Sequence, residues 1–154
     1  MNPRQSLSFA LLALALVAGI QAQQVSNSTV EVVIAASDSM QFTVTHFEAH
    51  PGQPVHVVFK NQGTVPKEAM GHNWILLKGG VDVDAYAMDA IAAIKENFEP
   101  KSRAADVLVC TPLLGPKETS ELTFNAPAAP GKYVYLCSFP GHCMAGMRGE
   151  LIVK

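Results

Sequence analysis

Sulfur and nitrogen donors stand at regular spacing near the end of the chain. Cys137, His142 and Met147 follow one another with four residues between each pair, so a thiolate, an imidazole and a thioether occur within eleven residues. Soft ligands of this kind suit copper, which cycles between Cu(I) and Cu(II). Zinc and magnesium sites rarely use a thioether. The softness of this donor set, more than its spacing, therefore predicts a single redox-active copper ion.

A trigonal copper site with two histidines, one cysteine and a long axial methionine requires a second histidine from elsewhere in the chain. His72 is the best candidate, because Gly71 before it allows close backbone approach and an apolar strand follows it. The Gly71 carbonyl is a candidate for a weak contact opposite Met147. Asn73 is expected to hydrogen-bond the strand that carries Cys137, and thereby to orient the ligands.

The same residues have simpler interpretations. His72 would be a hydrogen-bonded core histidine, Met147 would pack the core, and Cys137 would form half of a disulfide. Met144 competes with Met147 as the axial ligand, although its place directly after Cys143 favours a surface position. The clustering of soft donors favours the metal site over these alternatives.

The remaining histidines are assigned to no metal. His46 and His56 alternate with apolar residues in strand-like runs, which predicts solvent-facing positions. His50 precedes a Pro-Gly turn. Cys110 and Cys143 are left over, and the sequence leaves open whether they form a disulfide or remain free thiols.

Short β-branched and aromatic runs, separated by Gly, Pro, Asn and Ser, dominate the chain beyond position 30. This pattern is typical of a sandwich or barrel, and it predicts eight strands. The candidate strands are residues 30–35, 40–47, 54–60, 73–77, 105–109, 119–124, 132–137 and 149–153.

One helix is predicted within this β domain, at residues 83–97. Apolar residues recur there at helical spacing, namely Tyr86, Ile91, Ile94 and Phe98. Asp82 and Asp84 place negative charge near the helix start, where it suits the helix dipole, and Pro100 ends the segment. The sequence thus predicts one helix laid across a β domain.

Two motifs in this order carry a family resemblance: MGHNW at residues 70–74 and CSFPGH at residues 137–142. The chain resembles the cupredoxins of the azurin and auracyanin group. The resemblance implies an all-β, Greek-key β-sandwich with one helical insertion, and a role in shuttling single electrons. It also implies four ligands to one type 1 copper ion, namely His72, Cys137, His142 and Met147.

Two features depart from azurin itself. The loop between His142 and Met147 holds four residues, one more than in azurins, and is therefore more similar to auracyanin. No cysteine precedes Cys110, so the disulfide near the azurin N-terminus has no counterpart. Neither departure touches the residues expected to bind copper.

The first 22 residues are interpreted as an export signal peptide. Arg4 supplies a positive start, residues 7–20 form an apolar run of 14 residues, and residues 20–22 offer a cleavage site. The alternative, a membrane-spanning helix, needs about 20 apolar residues. Residues 23–154 are then expected to form one exported, periplasmic domain. The net charge of −2, without long runs of one sign, argues against nucleic acid as a partner.

A closed four-ligand copper site leaves no open position for a substrate, so the sequence predicts an electron carrier rather than an enzyme. Redox partners are expected to dock on an apolar patch around His142. The patch residues would be Met70, Phe139, Pro140, Met144 and Ala145. Copper delivery is the alternative function, although the six methionines form no Met-rich tract. Membership of a larger redox enzyme is a third possibility.

Overall fold

The computed structural model describes residues 28–154, and the predicted signal peptide lies outside them. Eight strands, two short α-helices and two 3₁₀ turns make up the described part of the chain. The strands are β1 (Val30–Ala36), β2 (His46–Ala49), β3 (Pro54–Asn61), β4 (Ile75–Leu77), β5 (Val107–Cys110), β6 (Thr119–Asn125), β7 (Gly131–Leu136) and β8 (Arg148–Val153). The α-helices are α1 (Lys67–Met70) and α2 (Val83–Ala92).

The strands form two sheets. One has the order β1-β3-β6, and the other has the order β2-β8-β7-β4-β5. Pairing is parallel between β1 and β3 and between β2 and β8, and antiparallel elsewhere. Both sheets contribute to one large apolar core. The predicted all-β sandwich with a helical insertion is thereby confirmed.

Alternation of side chains along β3 explains how the core forms. Val55, Val57 and Phe59 are fully buried, while the residues between them are partly exposed. The opposite sheet and the segment leading into β4 contribute Tyr135 and Trp74, whose ring centroids lie 5.3 Å apart. Burial of each such side chain contributes about 1.5–3 kcal/mol. This core fixes the separation of the sheets and hence the positions of the loops at their ends.

The helical insertion lies between β4 and β5. It consists of α2 followed by two 3₁₀ turns, at Ile94–Glu96 and Lys101–Asp106. Asp82 caps α2, because its side chain accepts a hydrogen bond of 3.0 Å from the Ala85 N–H. The helix predicted for residues 83–97 is too long, since α2 ends at Ala92 and Asn97 has a left-handed φ of 54°.

The buried side of α2 differs from the predicted one. Ile91 and Ile94 were expected to face the core, but they are 42% and 67% exposed. The residues of α2 that are buried are Tyr86, Ala87 and Ala90. The small alanines therefore lie on the covered side of the helix, and the larger isoleucines lie on the exposed side. Phe98, beyond the helix, is buried as predicted.

The predicted strand at residues 40–47 is largely irregular. Met40 has a left-handed φ of 55°, and Phe42 pairs with Ala36 only as an isolated bridge. β2 begins at His46, where the chain joins the second sheet beside β8. β4 and β5 also begin two residues later than predicted, and the second 3₁₀ turn leads directly into β5.

Replacement of Gly149 should destabilise the sandwich. Gly149 pairs with Tyr135 across β7 and β8, and a Cβ atom at this position would overlap the Tyr135 ring. We expect Gly149→Ala to lower the free energy of unfolding by about 1–3 kcal/mol, because Tyr135 is fully buried and has no room to move. Urea denaturation of the metal-free protein measures the change.

Gly79→Ala is the matched control for Gly149→Ala. Its Cβ would also face a tyrosine ring, that of Tyr133, but at an ordinary contact distance of 3.4 Å. The control should change the free energy of unfolding by less than about 0.5 kcal/mol. Equal urea midpoints for the two variants would contradict the proposed overlap.

Candidate metal centre

Three buried donor atoms meet at one end of the sandwich. Cys137 Sγ lies 3.4 Å from His142 Nδ1 and 3.9 Å from His72 Nδ1. The three ligand atoms all lie within 4.8 Å of one another, and all three residues are buried. Bonds of about 2.0–2.3 Å to a shared ion place nitrogen and sulfur donors no more than about 4.5 Å apart. The structure therefore brings together the three residues that the sequence selected. Their donor atoms are separated by distances close to those between donors that share one metal ion.

Backbone pairing fixes His72 before β4 begins. The His72 N–H donates to the Leu114 carbonyl at 3.1 Å, and the Leu114 N–H donates to the His72 carbonyl at 2.8 Å. Gly71 permits this arrangement, because a Cβ there would lie only 2.7 Å from the Lys67 carbonyl oxygen and 3.0 Å from Leu113. The close backbone approach predicted at Gly71 is thus present.

The loop that carries Cys137 and His142 is held by its own backbone. The His142 N–H donates to the Phe139 carbonyl at 3.0 Å, and the Met147 N–H donates to the His142 carbonyl at 2.9 Å. The Cys137 N–H donates to the Met147 carbonyl at 3.1 Å. Gly141 has a left-handed φ of 84°, which a side chain would disfavour. Met147 is fully buried where this loop enters β8.

Asn73 links the two segments that supply the ligands. Its Nδ2 donates to Ser138 Oγ at 2.8 Å, and its Oδ1 accepts from the Ser138 N–H at 2.8 Å. The Asn73 and Phe139 backbone N–H groups donate to the Cys137 sulfur. The hydrogen bonds expected of Asn73 are therefore present, and their partner Ser138 carries no signal in the sequence.

Burial dominates the electrostatics of the centre. It raises the pKa of the Cys137 thiol to about 12, although the two N–H donors oppose the shift. Burial, together with the neighbouring His72, lowers the pKa of His142 to about 4. The pKa of His72 is also lowered by burial. Near neutral pH the metal-free centre consequently holds a neutral thiol and two neutral imidazoles.

The two ring nitrogens of His72 have different surroundings, because Nδ1 lies near Cys137 and Nε2 does not share that contact. His72 Nε2 is buried and completes no hydrogen bond of good geometry within residues 28–154. Burial lowers the pKa of His72, and the Asp38 carboxylate and the Ser37 carbonyl oppose part of this shift. Neither residue was singled out by the sequence, because both lie 34 or more positions from His72.

The two remaining cysteines are free thiols. Cys110 donates to Glu99 Oε1 at 2.9 Å, and burial raises the pKa of its thiol to about 12. Cys143 is buried in a second apolar cluster that also contains Tyr86 and Leu136. The question that the sequence left open is thus resolved in favour of free thiols in this structure.

The remaining histidines lie away from the centre, as predicted. His46 and His50 are exposed, and His50 Nδ1 lies 2.8 Å from the Lys154 carbonyl oxygen. His56 is partly exposed, and its ring lies between Glu31 and Glu121. The two carboxylates raise its pKa.

The surface over His142 is mixed in exposure. Met144 is 61% exposed, whereas Phe139 and His142 are only 9% and 2% exposed. Met70 and Pro140 are half-buried. His142 is therefore almost completely covered at this surface.

Comparison with known proteins identifies the family. The family described as copper binding proteins, plastocyanin/azurin family, matches residues 28–154. The chain belongs to this family. Auracyanin-B of Chloroflexus aurantiacus is 39% identical over 127 residues, which cover 81% of this chain and 52% of that protein. Azurin of Pseudomonas fluorescens biotype C is 33% identical over 127 residues, which cover 80% of this chain and 98% of that protein.

Solved structures agree with the family membership. Reduced auracyanin from Roseiflexus castenholzii has a TM-score of 0.70 and 37% identity, with 82% of this chain and 96% of that chain covered. Auracyanin A from Chloroflexus aurantiacus has a TM-score of 0.71 and 35% identity, with 82% of this chain and all of that chain covered. The chain spans about half the length of auracyanin-B. Among residues 28–154, no helix combines the length and apolar character needed to cross a membrane.

Members of the family are blue copper proteins that carry electrons, so copper is the cofactor of this chain and an enzymatic role is not indicated. The donor set fits copper, because a thiolate and two imidazole nitrogens converge in a buried pocket. The predictions of family, fold and cofactor are thus confirmed.

Metal loading near neutral pH should release one proton per ion. The Cys137 thiol is protonated there because its pKa is about 12, whereas His142, with a pKa of about 4, is already neutral. Copper affinity should consequently rise about tenfold per pH unit between the histidine and thiol pKa values. Titration of the metal-free protein with Cu(II) in a pH-stat measures the release. Cys137→Ser should release none, and a stoichiometry of zero or two in the unaltered protein would contradict the assignment.

Proposed function

We propose that the protein transfers single electrons by Cu(II)/Cu(I) cycling at a type 1 site held by His72, Cys137 and His142, with Met147 as the axial ligand. The observation that carries the proposal is the convergence of the three buried donor atoms within 4.8 Å. Met147 joins the set because it is fully buried and its backbone is hydrogen-bonded to both Cys137 and His142. The Gly71 carbonyl remains a candidate for a weak contact.

Bound copper supplies the one-electron redox couple, and the chain supplies a fixed geometry. His72 is held by the Leu114 bridge, and Cys137 is held by its pairing with Met147. Asn73 joins the two ligand-bearing segments through Ser138. Because these contacts do not depend on the charge of the metal, little needs to rearrange when an electron arrives or leaves. This rigidity favours fast electron transfer.

Two buried phenylalanines pack in series beside the His142 ring. The His142 and Phe139 ring centroids lie 4.7 Å apart, and Phe98 packs edge-on against Phe139 at 5.0 Å. Met144 is largely exposed beside His142 in the same loop. We propose that redox proteins dock transiently on the apolar patch formed by Met70, Phe139, Pro140, Met144 and Ala145. The thin layer of side chains that covers His142 would keep water away from the metal. It would still allow an electron to cross to a docked partner.

We also propose that residues 1–22 direct export and that residues 23–154 form the mature, periplasmic domain. The short apolar run with Arg4 before it supports the first part. The family match over residues 28–154 supports the second, because it leaves no room for a further domain within that span. Mass spectrometry of the protein recovered from periplasm tests the cleavage position after Ala22.

Cys137→Ser should abolish the intense blue thiolate-to-copper absorption. A serine hydroxyl stays protonated and cannot provide the sulfur orbital, whereas the core depends little on this atom, so unfolding should shift by only about 1–2 kcal/mol. The visible spectrum of the Cu(II)-loaded protein measures the change. Cys110→Ser, which alters a thiol outside the centre, should keep the full colour; a blue Cys137→Ser variant would reject the proposal.

Met147→Leu should keep copper bound and raise the reduction potential, because a weak donor to the metal is replaced by none. The volume-conserving exchange should cost less than about 1.5 kcal/mol of stability. Protein film voltammetry gives the potential. Met144→Leu is the matched control and should leave the potential near that of the unaltered protein. A larger shift in Met144→Leu than in Met147→Leu would assign the axial position to Met144 instead.

A further inference from the structure

The helical insertion leaves a stripe of apolar side chains uncovered. Met88 is 57% exposed, and the exposed Ile91 and Ile94 follow it at intervals of three residues. Side chains at this spacing are neighbours along a helical surface. Tyr86 and Ala90, on the other side of α2, are buried. Contiguous exposed apolar surface on a folded domain usually marks a contact with another protein.

Both ends of the insertion touch the chain that carries the copper ligands. Near its start, Asp84 Oδ1 accepts a hydrogen bond of 3.1 Å from Arg148 Nη1, at the beginning of β8. At its other end, the Phe98 ring packs against Phe139 at 5.0 Å between centroids, and Phe139 packs against His142 at 4.7 Å. The stripe therefore lies beside the patch on which partners are proposed to dock, and the two can form one continuous surface.

A small pocket lies where the stripe meets these phenylalanines. Its volume is about 220 Å³. The residues that line it are Lys67, Glu68, Ile94, Asn97, Phe98 and Leu113. Asn97 and Phe98 have left-handed φ values of 54° and 62°, and such a φ is rare for a bulky side chain. Pockets for small-molecule ligands are larger, at roughly 300–1,000 Å³, so this pocket suits one side chain that protrudes from a protein.

The insertion also carries the negative charge of the domain. Residues 82–106 contain six acidic and three basic residues, whereas the rest of the described chain contains seven of each. Arg103 pairs with Asp89 and Asp106 inside this segment, and Arg148 pairs with it from β8. A net negative charge remains even when Arg148 is counted. Such a surface repels a second copy of itself and attracts a positively charged protein.

We propose that the helical insertion forms part of the docking surface and selects basic redox proteins. This inference rests on the proposed function. Lysine and arginine side chains of the partner face the acidic insertion, and one apolar side chain of the partner enters the pocket beside Ile94 and Phe98. Contact at this position brings the partner next to Phe139 and His142. One electron then leaves the reduced centre and reduces the docked partner.

The first experiment measures electron transfer from the reduced copper protein to a lysine-rich c-type cytochrome by stopped-flow absorption. Ile94→Thr keeps a β-branched side chain but removes apolar contact, so it should lower the second-order rate constant about fivefold. Its visible spectrum and midpoint potential should not change. Val33→Thr is the matched control, because Val33 is 56% exposed on β1 in the other sheet, and it should keep the full rate. Equal rate constants for the two variants would overturn the proposal.

A second comparison tests the charge. Asp82→Asn and Glu96→Gln together remove two negative charges, while each amide oxygen can still accept from the Ala85 or Lys101 N–H. The double variant should react with the cytochrome about threefold more slowly at low salt. The difference should vanish at about 1 M salt, where the Debye length is only about 3 Å. Glu48→Gln, which removes a charge from β2, is the control and should keep the rate.

Acetylation of the cytochrome lysines removes the complementary charge and should slow the unaltered protein in the same way. A double variant as fast as the unaltered protein at low salt would overturn the choice of a basic partner. Sedimentation tests another occupant of the stripe. If the unaltered protein is a dimer that Ile94→Thr dissociates, the stripe is an interface between copies and the proposal is wrong.

The failure of this inference can be distinguished from the failure of the proposed function. If the unaltered protein reduces both hexacyanoferrate(III) and the cytochrome, but Ile94→Thr and Val33→Thr have equal rates, only the role of the insertion is overturned. If the unaltered protein reduces neither oxidant, the proposed function itself is rejected.

Discussion

Placing a sulfur anion in the apolar interior is the constraint on which the metal centre depends. Cys137 is fully buried, and burial raises the pKa of its thiol to about 12. A buried charge is tolerated only when it is paired and hydrogen-bonded. The N–H groups of Asn73 and Phe139 meet part of this need, and a copper ion held by the sulfur and the two imidazoles would meet the rest. The thiolate and the ion therefore stabilise each other.

The β-sandwich makes this pairing specific. Cys137 follows β7 and His72 precedes β4, and these two strands are neighbours in one sheet, so the register of the sheet sets their separation. His142 comes from a loop, and backbone hydrogen bonds to Phe139 and Met147 hold it in place. A site assembled from such elements changes little with the charge of its metal, which suits electron transfer better than substrate binding.

Control of the centre extends beyond the ligands in two directions. On the His142 side, Phe139 and the exposed Met144 connect the centre with the surface on which partners are proposed to dock. On the His72 side, Asn61 donates to the Leu114 carbonyl, and Leu114 exchanges two backbone hydrogen bonds with His72. The first side would govern how quickly electrons cross, and the second holds the backbone of His72 in place.

The sequence alone was sufficient to predict the donor residues and the fold class, because both predictions depend on local patterns. The spacing of Cys137, His142 and Met147 places soft donors within one loop, and the alternation of apolar residues places Val55 and Phe59 on one face of a strand. Periodicity was less informative for α2, since Ile91 repeats at helical spacing and yet is exposed. Only the packing of the helix decides which of its faces is covered.

Only the tertiary structure shows which distant residues surround the ligands and hold them in place. The hydrogen bonds of Asn73 to Ser138 and of Thr64 to Asp38 join segments far apart in the chain. No local pattern encodes them, because they arise where separate loops meet at one end of two packed sheets. The free state of Cys110 and Cys143 has the same origin, since a thiol pairs or stays free according to its distance and direction in space.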